Sequence, residues 1–78
     1  MASIPSSAGL SFPQWAAAVI TELASEYNLP NPVEEGLWQT WATELFHVPG
    51  LAERGLPGPA SFGEDWRSWS AAFSLVMS

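Results

Sequence analysis

The stretch that decides the fold is residues 34–48, EEGLWQTWATELFHV. Within it, Trp38, Trp41, Leu45 and Val48 follow one another at intervals of three, four and three residues. These intervals place the four side chains on one face of a helix. Two indole rings one turn apart give that face a large apolar area for so short a chain. The stretch therefore predicts an amphipathic helix whose buried face is aromatic.

The same arrangement occurs three times along the chain. Each copy has an aromatic residue, two further residues, a tryptophan, a small residue and, after two more residues, a large apolar one. The repeated positions are Phe12, Trp15, Ala16 and Val19; Trp38, Trp41, Ala42 and Leu45; and Trp66, Trp69, Ser70 and Phe73. A capping residue with Gln or Glu three positions later precedes each copy, which is typical of a helix start. We therefore expect helices over about residues 12–27, 32–47 and 62–77.

These signals predict an all-α fold, a small three-helix domain over residues 11–78. A Pro- and Gly-rich linker, residues 48–60, separates helices 2 and 3, and a single helical turn fits within it at 51–54. We expect Leu51 and Leu56 to fold back onto the core. With 78 residues the chain has room for one domain.

Residues 1–10, MASIPSSAGL, precede the first helix and are poor in helix formers. We interpret them as an extended N-terminal arm anchored by Ile4 and Leu10; the alternative is a disordered tail. Ordering ten residues costs on the order of 10 kcal/mol of backbone entropy. Burying the two anchors returns about 2–3 kcal/mol each. Because this return is too small, we expect the arm to contact a partner chain.

The charge balance limits the possible partners. Two cationic residues, Arg54 and Arg67, stand against eight Asp and Glu, so the net charge is −6. Nucleic-acid binding depends on cations that neutralise phosphates, and anionic lipid surfaces attract basic proteins. No run of about 18 apolar residues is present to span a bilayer. We therefore expect neither a nucleic-acid partner nor a membrane.

The aromatic stripes allow two interpretations. In the first, they form only the core of one three-helix domain. In the second, part of the aromatic surface is an exposed docking face, because hydrophobic residues make up 47% of the chain and charged ones only 13%. For the core we select Val19, Leu23, Trp41, Leu45, Trp69 and Phe73, with Trp41 and Trp69 as the most buried indoles. For partner binding we select Ile4, Leu10, Phe12, Trp15, Trp38, Trp66 and Arg67.

Reaction chemistry is not indicated by any motif. His47 is the sole histidine and falls at the end of the second predicted helix, where the helix dipole favours its charge. Glu34 and Glu35 are adjacent, so they point to different helix faces and do not form a catalytic pair. The chain has no cysteine and no glycine-rich phosphate loop. We predict that the protein is not an enzyme and has no catalytic, cofactor-binding or metal-binding residues.

The stretches Trp38-Gln-Thr-Trp41-Ala42 and Phe62-Gly-Glu-Asp-Trp66-Arg-Ser-Trp69 resemble short proteins encoded by tailed bacteriophages. In those proteins an aromatic-x-x-Trp-Ala helix follows a Pro- and Phe-rich lead, often among virion structural genes. The resemblance covers about residues 11–45 and 61–76. It implies a minor virion component of the neck, tail or shell.

The leading hypothesis is a structural assembly protein. It would bind a larger structural protein in several copies through its aromatic faces and arm, in a homo- or hetero-oligomeric virion assembly. The alternative is a small acidic regulatory binder in the cytoplasm of the bacterial host, such as a phage-encoded inhibitor or adaptor of a host protein.

Overall fold

The computed structural model describes residues 4–77. Within that range lie three α-helices and no strand: α1 over Phe12–Leu23, α2 over Trp38–Glu44 and α3 over Trp66–Met77. Four short 3-10 turns accompany them, at Glu35–Leu37, Leu45–His47, Ala52–Arg54 and Pro59–Phe62. The fold is therefore a small all-α domain. All three helices are shorter than predicted.

Helix α1 begins where the sequence predicts. The Ser11 backbone N–H donates to Oε1 of Gln14 over 2.9 Å, which is one half of the capping box. The helix ends at Leu23, four residues before the predicted end at Tyr27. The N–H groups of Glu26 and Tyr27 both donate to the Leu23 carbonyl, closing a turn in which the helical repeat stops.

Helix α2 begins later than predicted because residues 31–34 are not helical. Pro30 and Pro32 disfavour helical backbone in the residues before them. In addition, the Pro30 carbonyl accepts the Trp41 indole N–H over 3.0 Å. The 3-10 turn Glu35–Leu37 then leads into the helix, and a second 3-10 turn, Leu45–His47, completes it. The predicted span of 32–47 is therefore wrong in its first three residues.

Helix α3 begins at Trp66, four residues after the predicted start, because Gly63 interrupts the chain. Its backbone lies at φ 59°, ψ −114°, a conformation that glycine alone adopts easily. The cap is Asp65 rather than Ser61. Asp65 accepts the Ser68 backbone N–H over 3.1 Å and the Ser68 hydroxyl over 2.6 Å. The predicted cap at Ser61 is thus replaced by a side-chain cap four residues later.

The predicted linker, residues 48–60, is packed as part of the domain. It contains the expected turn, Ala52–Arg54, and the start of the next, Pro59–Phe62. Leu51 is fully buried and Leu56 is buried against the same core. Folding these two leucines inward gives the segment a fixed path between α2 and α3.

The centre of the molecule is a triangle of three indoles, one from each helix. Trp15, Trp41 and Trp69 are all fully buried. Trp41 and Trp69 were expected to be the most buried indoles, and Trp15 is buried to the same extent. Their rings lie 5.8–6.4 Å apart and meet edge to face, with interplanar angles of 71–87°. This is the favourable arrangement for aromatic quadrupoles.

A second aromatic layer surrounds the triangle in cyclic order. The first aromatic residue of each repeat contacts the central indole of the next: Phe12 contacts Trp41 at 5.5 Å, Trp38 contacts Trp69 at 5.6 Å and Trp66 contacts Trp15 at 6.0 Å. Three copies of one sequence pattern thus produce three corresponding contacts in cyclic order.

Each central indole also has the same hydrogen bond. Its N–H donates to the carbonyl of a proline ten to twelve residues earlier: Trp15 to Pro5 at 2.9 Å, Trp41 to Pro30 at 3.0 Å and Trp69 to Pro57 at 3.0 Å. A buried indole N–H without an acceptor would cost about 1–3 kcal/mol. The segment before each helix is therefore fixed to the core by a polar contact.

No helix within residues 4–77 is long and apolar enough to cross a membrane.

Replacing Trp69 with alanine should remove one corner of the indole triangle. We expect a loss of about 3–5 kcal/mol in the free energy of unfolding, enough to unfold a domain of this size. Leu37→Ala is the matched control, because Leu37 is 49% exposed and its truncation should change stability by less than about 0.5 kcal/mol. Urea unfolding followed by circular dichroism measures both. Equal stability of the two variants would contradict the assignment of Trp69 to the core.

Candidate functional site

The aromatic residues expected at an exposed docking face lie inside the protein. Phe12 and Trp15 are fully buried, and Trp38 and Trp66 are each 4% exposed. The expectation of an aromatic docking face is therefore wrong. Its premise was the composition of the chain, with 47% hydrophobic residues, five tryptophans among them, and only 13% charged ones. The cyclic packing encloses the tryptophans because the first aromatic ring of each repeat lies against the central indole of the next repeat. Each such contact removes surface of both rings from solvent.

The six residues selected for the core are all in the buried cluster. Val19, Leu23, Trp41, Leu45, Trp69 and Phe73 have between 0 and 1% of their surface exposed. Phe73 stacks on Trp69 with ring centroids 5.3 Å apart, and it also meets Trp15 edge to face. This side of the core is continuous with the indole triangle.

The N-terminal segment is held by its own domain. Residues 1–3 of the predicted arm lie outside the described residues; residues 4–10 contain no helix, with Ile4 and Leu10 partly buried against the core. The Arg67 guanidinium donates to the Ser7 carbonyl over 2.5 Å and to the Leu10 carbonyl over 2.8 Å. It also lies over the Trp66 ring, 4.6 Å from the centroid.

The argument that this segment needs a partner chain is therefore wrong. It counted only the apolar burial of Ile4 and Leu10. It omitted the two charge-assisted hydrogen bonds from Arg67 and the indole hydrogen bond to Pro5, which together add favourable energy within the chain. Arg67, expected to bind a partner, is instead committed to the backbone of residues 7 and 10.

Gln39 occupies the same place in the second repeat that Arg67 occupies in the third, directly after the first aromatic residue. Its side-chain amide donates to the Gly63 carbonyl, just before α3, as Arg67 donates to carbonyls just before α1. The third such position is Pro13, which has no donor. These hydrogen bonds were not predicted. The signal for them is that alignment of the repeats places Gln39 and Arg67 at the same position.

A shallow acidic cleft lies between the turn before α2 and the segment before α3, and sequence reasoning also missed it. The cleft has a volume of about 300 Å³ and is lined by Glu35, Gly36, Trp38 and Glu64. A methyl group added at Gly36 would meet no other atom within 4 Å, so this wall is open. A larger cleft of about 420 Å³ lies between the N-terminal segment and α3 and is lined by Ile4, Pro5, Ser6, Ser7, Ser70, Ala71, Ser74 and Leu75.

The remaining polar candidates are dispersed. His47 is exposed at the end of the 3-10 turn Leu45–His47, and Glu34 and Glu35 are exposed near the start of α2. Within residues 4–77, no three His, Cys, Asp or Glu side chains come together as a metal site would require. Arg54 reaches Tyr27, whose hydroxyl lies 3.5 Å from its Nη1, at the limit of a hydrogen bond.

The pKa of one carboxyl group, that of Asp65, departs from its ordinary value. The Ser68 hydroxyl, and secondarily the Ser68 backbone N–H, hydrogen-bond to Asp65 and lower the pKa of its carboxyl below the ordinary value. The ionised form is thus the one that caps α3.

No protein-family model matches the chain, and neither a curated protein nor a solved structure shows significant similarity to it.

Replacing Arg67 with methionine should release the N-terminal segment while keeping much of the contact with Trp66. We expect a loss of about 1 kcal/mol, because the hydrogen bonds are charge-assisted but exposed to solvent. Amide hydrogen exchange at residues 6–10 should accelerate. Arg54→Met, which removes the same charge from a weak contact, should alter neither quantity. Unchanged exchange in the Arg67 variant would show that the segment is held by other contacts.

Acidification should weaken the α3 cap. Because the folded-state pKa of Asp65 is depressed, its contribution to stability is complete above the unfolded value of about 4 and is lost as pH falls through the folded-state value. Asp65→Asn keeps a capping oxygen that does not titrate. Between about pH 5 and about pH 2, wild type should therefore lose more thermal stability than Asp65→Asn. Parallel losses in the two proteins would contradict this role for Asp65.

Proposed function

We propose that this protein is a small non-enzymatic structural subunit that attaches to a larger protein through its acidic exterior. The observation that carries the proposal is the division of the molecule into two parts. All five indoles belong to the core, while the exterior has eight acidic side chains and two cationic ones. Because Arg67 is engaged with its own backbone, the charge offered to a partner is almost entirely negative.

The setting we propose is the virion of a tailed phage, in which the protein is a minor component present in several copies. Support for this setting comes from the resemblance of the aromatic-x-x-Trp repeats to short phage proteins. The contact surface differs from the one expected from sequence, since the aromatic stripes are internal. An acidic exterior orients the protein on a basic surface and speeds association, but it adds little to the affinity of one contact. Many copies of a weak contact in one assembly would raise the overall affinity.

A regulatory binder in the host cytoplasm is the second candidate. It is favoured by the closed aromatic core, because a subunit that buries its apolar residues internally is suited to exist alone and to bind reversibly. The two candidates share the acidic contact surface and differ in the size and permanence of the complex.

Sedimentation distinguishes the two candidates. Phage particles from cells that produce the protein should be banded on a density gradient, and the protein should be quantified in the band by mass spectrometry. A virion component should accompany the particles at a fixed number of copies and survive a second banding. A regulatory binder should be missing from particles and should form a complex of small, defined size in the lysate. Particles without the protein would overturn the virion proposal.

A further inference from the structure

We propose that residues 4–7 can be exchanged between two copies of this chain, so that each copy fills the site that the other vacates beside α3. The partner is thus a second copy, and the site is the surface that residues 4–7 cover within one chain. This inference goes beyond the proposed function, because it concerns contacts between copies. It depends neither on the acidic exterior nor on the virion setting.

The site binds main-chain carbonyls. The Trp15 indole N–H donates to the Pro5 carbonyl over 2.9 Å, and the Arg67 guanidinium donates to the Ser7 carbonyl over 2.5 Å. The acceptors belong to the backbone of the segment, and the donors are side chains of α1 and α3. An identical segment from another copy would therefore form the same two hydrogen bonds. Exchange of identical elements is for this reason a low-cost route to dimers.

The N-terminal segment is held less firmly than the corresponding segments before α2 and α3. Every residue from 4 to 10 is exposed or partly buried. By contrast, the segment before α2 buries Leu29, and the segment before α3 buries Leu51 and Leu56. Within residues 4–77 the N-terminal segment also joins a helix on one side only, whereas each of the other two runs between helices. It is therefore the segment that can leave its site without exposing a buried side chain of its own.

A turn at residues 8–10 provides the hinge for this movement. Gly9 has a φ of 76°, in the left-handed region, and the Leu10 N–H donates to the Ser7 carbonyl across the turn over 3.1 Å. When the turn extends, residues 4–7 move away, while the Leu10 carbonyl keeps its own hydrogen bond from Arg67, 2.8 Å long in the closed form. In the exchanged dimer, each Arg67 therefore joins its own Leu10 to Ser7 of the other copy.

The local concentration of copies decides which form prevails. Within one chain, the short hinge keeps the segment near its site at an effective concentration on the order of millimolar. Exchange forms the same hydrogen bonds between copies, so it competes with the closed form where the concentration of copies is similar. An assembly that places several copies side by side meets this condition, whereas a dilute solution does not.

The test compares two full-length variants, Gly9→Val and Gly55→Val, with wild type by sedimentation velocity over a range of concentrations. Both glycines have nearly the same positive φ, 76° and 77°, and an added Cβ would meet no atom within 4 Å at either position. Valine is strained at such a φ, so the two variants carry a similar penalty. Only at Gly9 does opening of the hinge relieve it.

Wild type should remain monomeric up to about millimolar concentration, the effective concentration of the tethered segment. Gly9→Val should lower the concentration at which dimers form at least about tenfold, because two strained hinges are relieved in each dimer. Gly55→Val should leave that concentration within about twofold of wild type, since its strain is the same in monomer and dimer.

A covalent lock identifies exchange as the cause of dimerisation. Ser6→Cys/Ala71→Cys, combined with Gly9→Val, introduces two cysteines into a chain that has none. Both positions line the larger cleft, one on the N-terminal segment and one on α3. Joining the two thiols with a short bismaleimide in dilute solution fixes residue 6 to α3 of the same chain. The joined protein should stay monomeric at concentrations where the same protein capped with N-ethylmaleimide dimerises.

Equal association of Gly9→Val and Gly55→Val would overturn the proposal, because it would show a general effect of strain. Equal association of the joined and capped proteins would also overturn it, because the copies would then meet through another surface. A folded Gly9→Val protein that stays monomeric at about millimolar concentration would do the same. Should Gly9→Val fail to fold, joined and capped chains with the native hinge, compared near that concentration, provide the same decision.

Discussion

The structure depends on the hydrogen bond between each central indole and a proline carbonyl. A fully buried tryptophan brings one polar atom into the core, and that atom requires an acceptor. Pro5, Pro30 and Pro57 supply it from the segments that precede the three helices. Proline suits these segments because it disfavours helical backbone at the residue before it. The interaction thus fixes the segments and completes the core at the same time.

The cyclic aromatic packing explains why so small a chain can enclose five tryptophans. Each outer ring lies against the central indole of the next repeat, so every helix contributes to the environment of the other two. The consequence is that no helix has an independent core. We infer that loss of any central ring would be transmitted to all three repeats, which favours a single cooperative unfolding transition.

Enclosing the aromatic residues leaves function to the polar exterior. The three repeats differ on the exterior at the position after the first aromatic residue. Pro13 has no side-chain donor, Gln39 hydrogen-bonds to the segment before α3, and Arg67 hydrogen-bonds to the segment before α1. Arg67, the one cation of this set, is thereby engaged within its own chain.

The sequence by itself determined the helical class and the three repeats, because helical periodicity and caps act over a few residues. It also contained Leu51 and Leu56 as core residues. Only the tertiary structure decided where α2 and α3 begin, since the carbonyls of Pro30 and Gly63 accept hydrogen bonds from Trp41 and Gln39, which are distant in sequence. It alone placed Trp15, Trp38 and Trp66 inside and turned Arg67 towards residues 7 and 10. Which ring is buried and which hydrogen-bond partner a side chain finds depend on the segments that meet in space. The spacing of residues along one helix contains no information about those meetings.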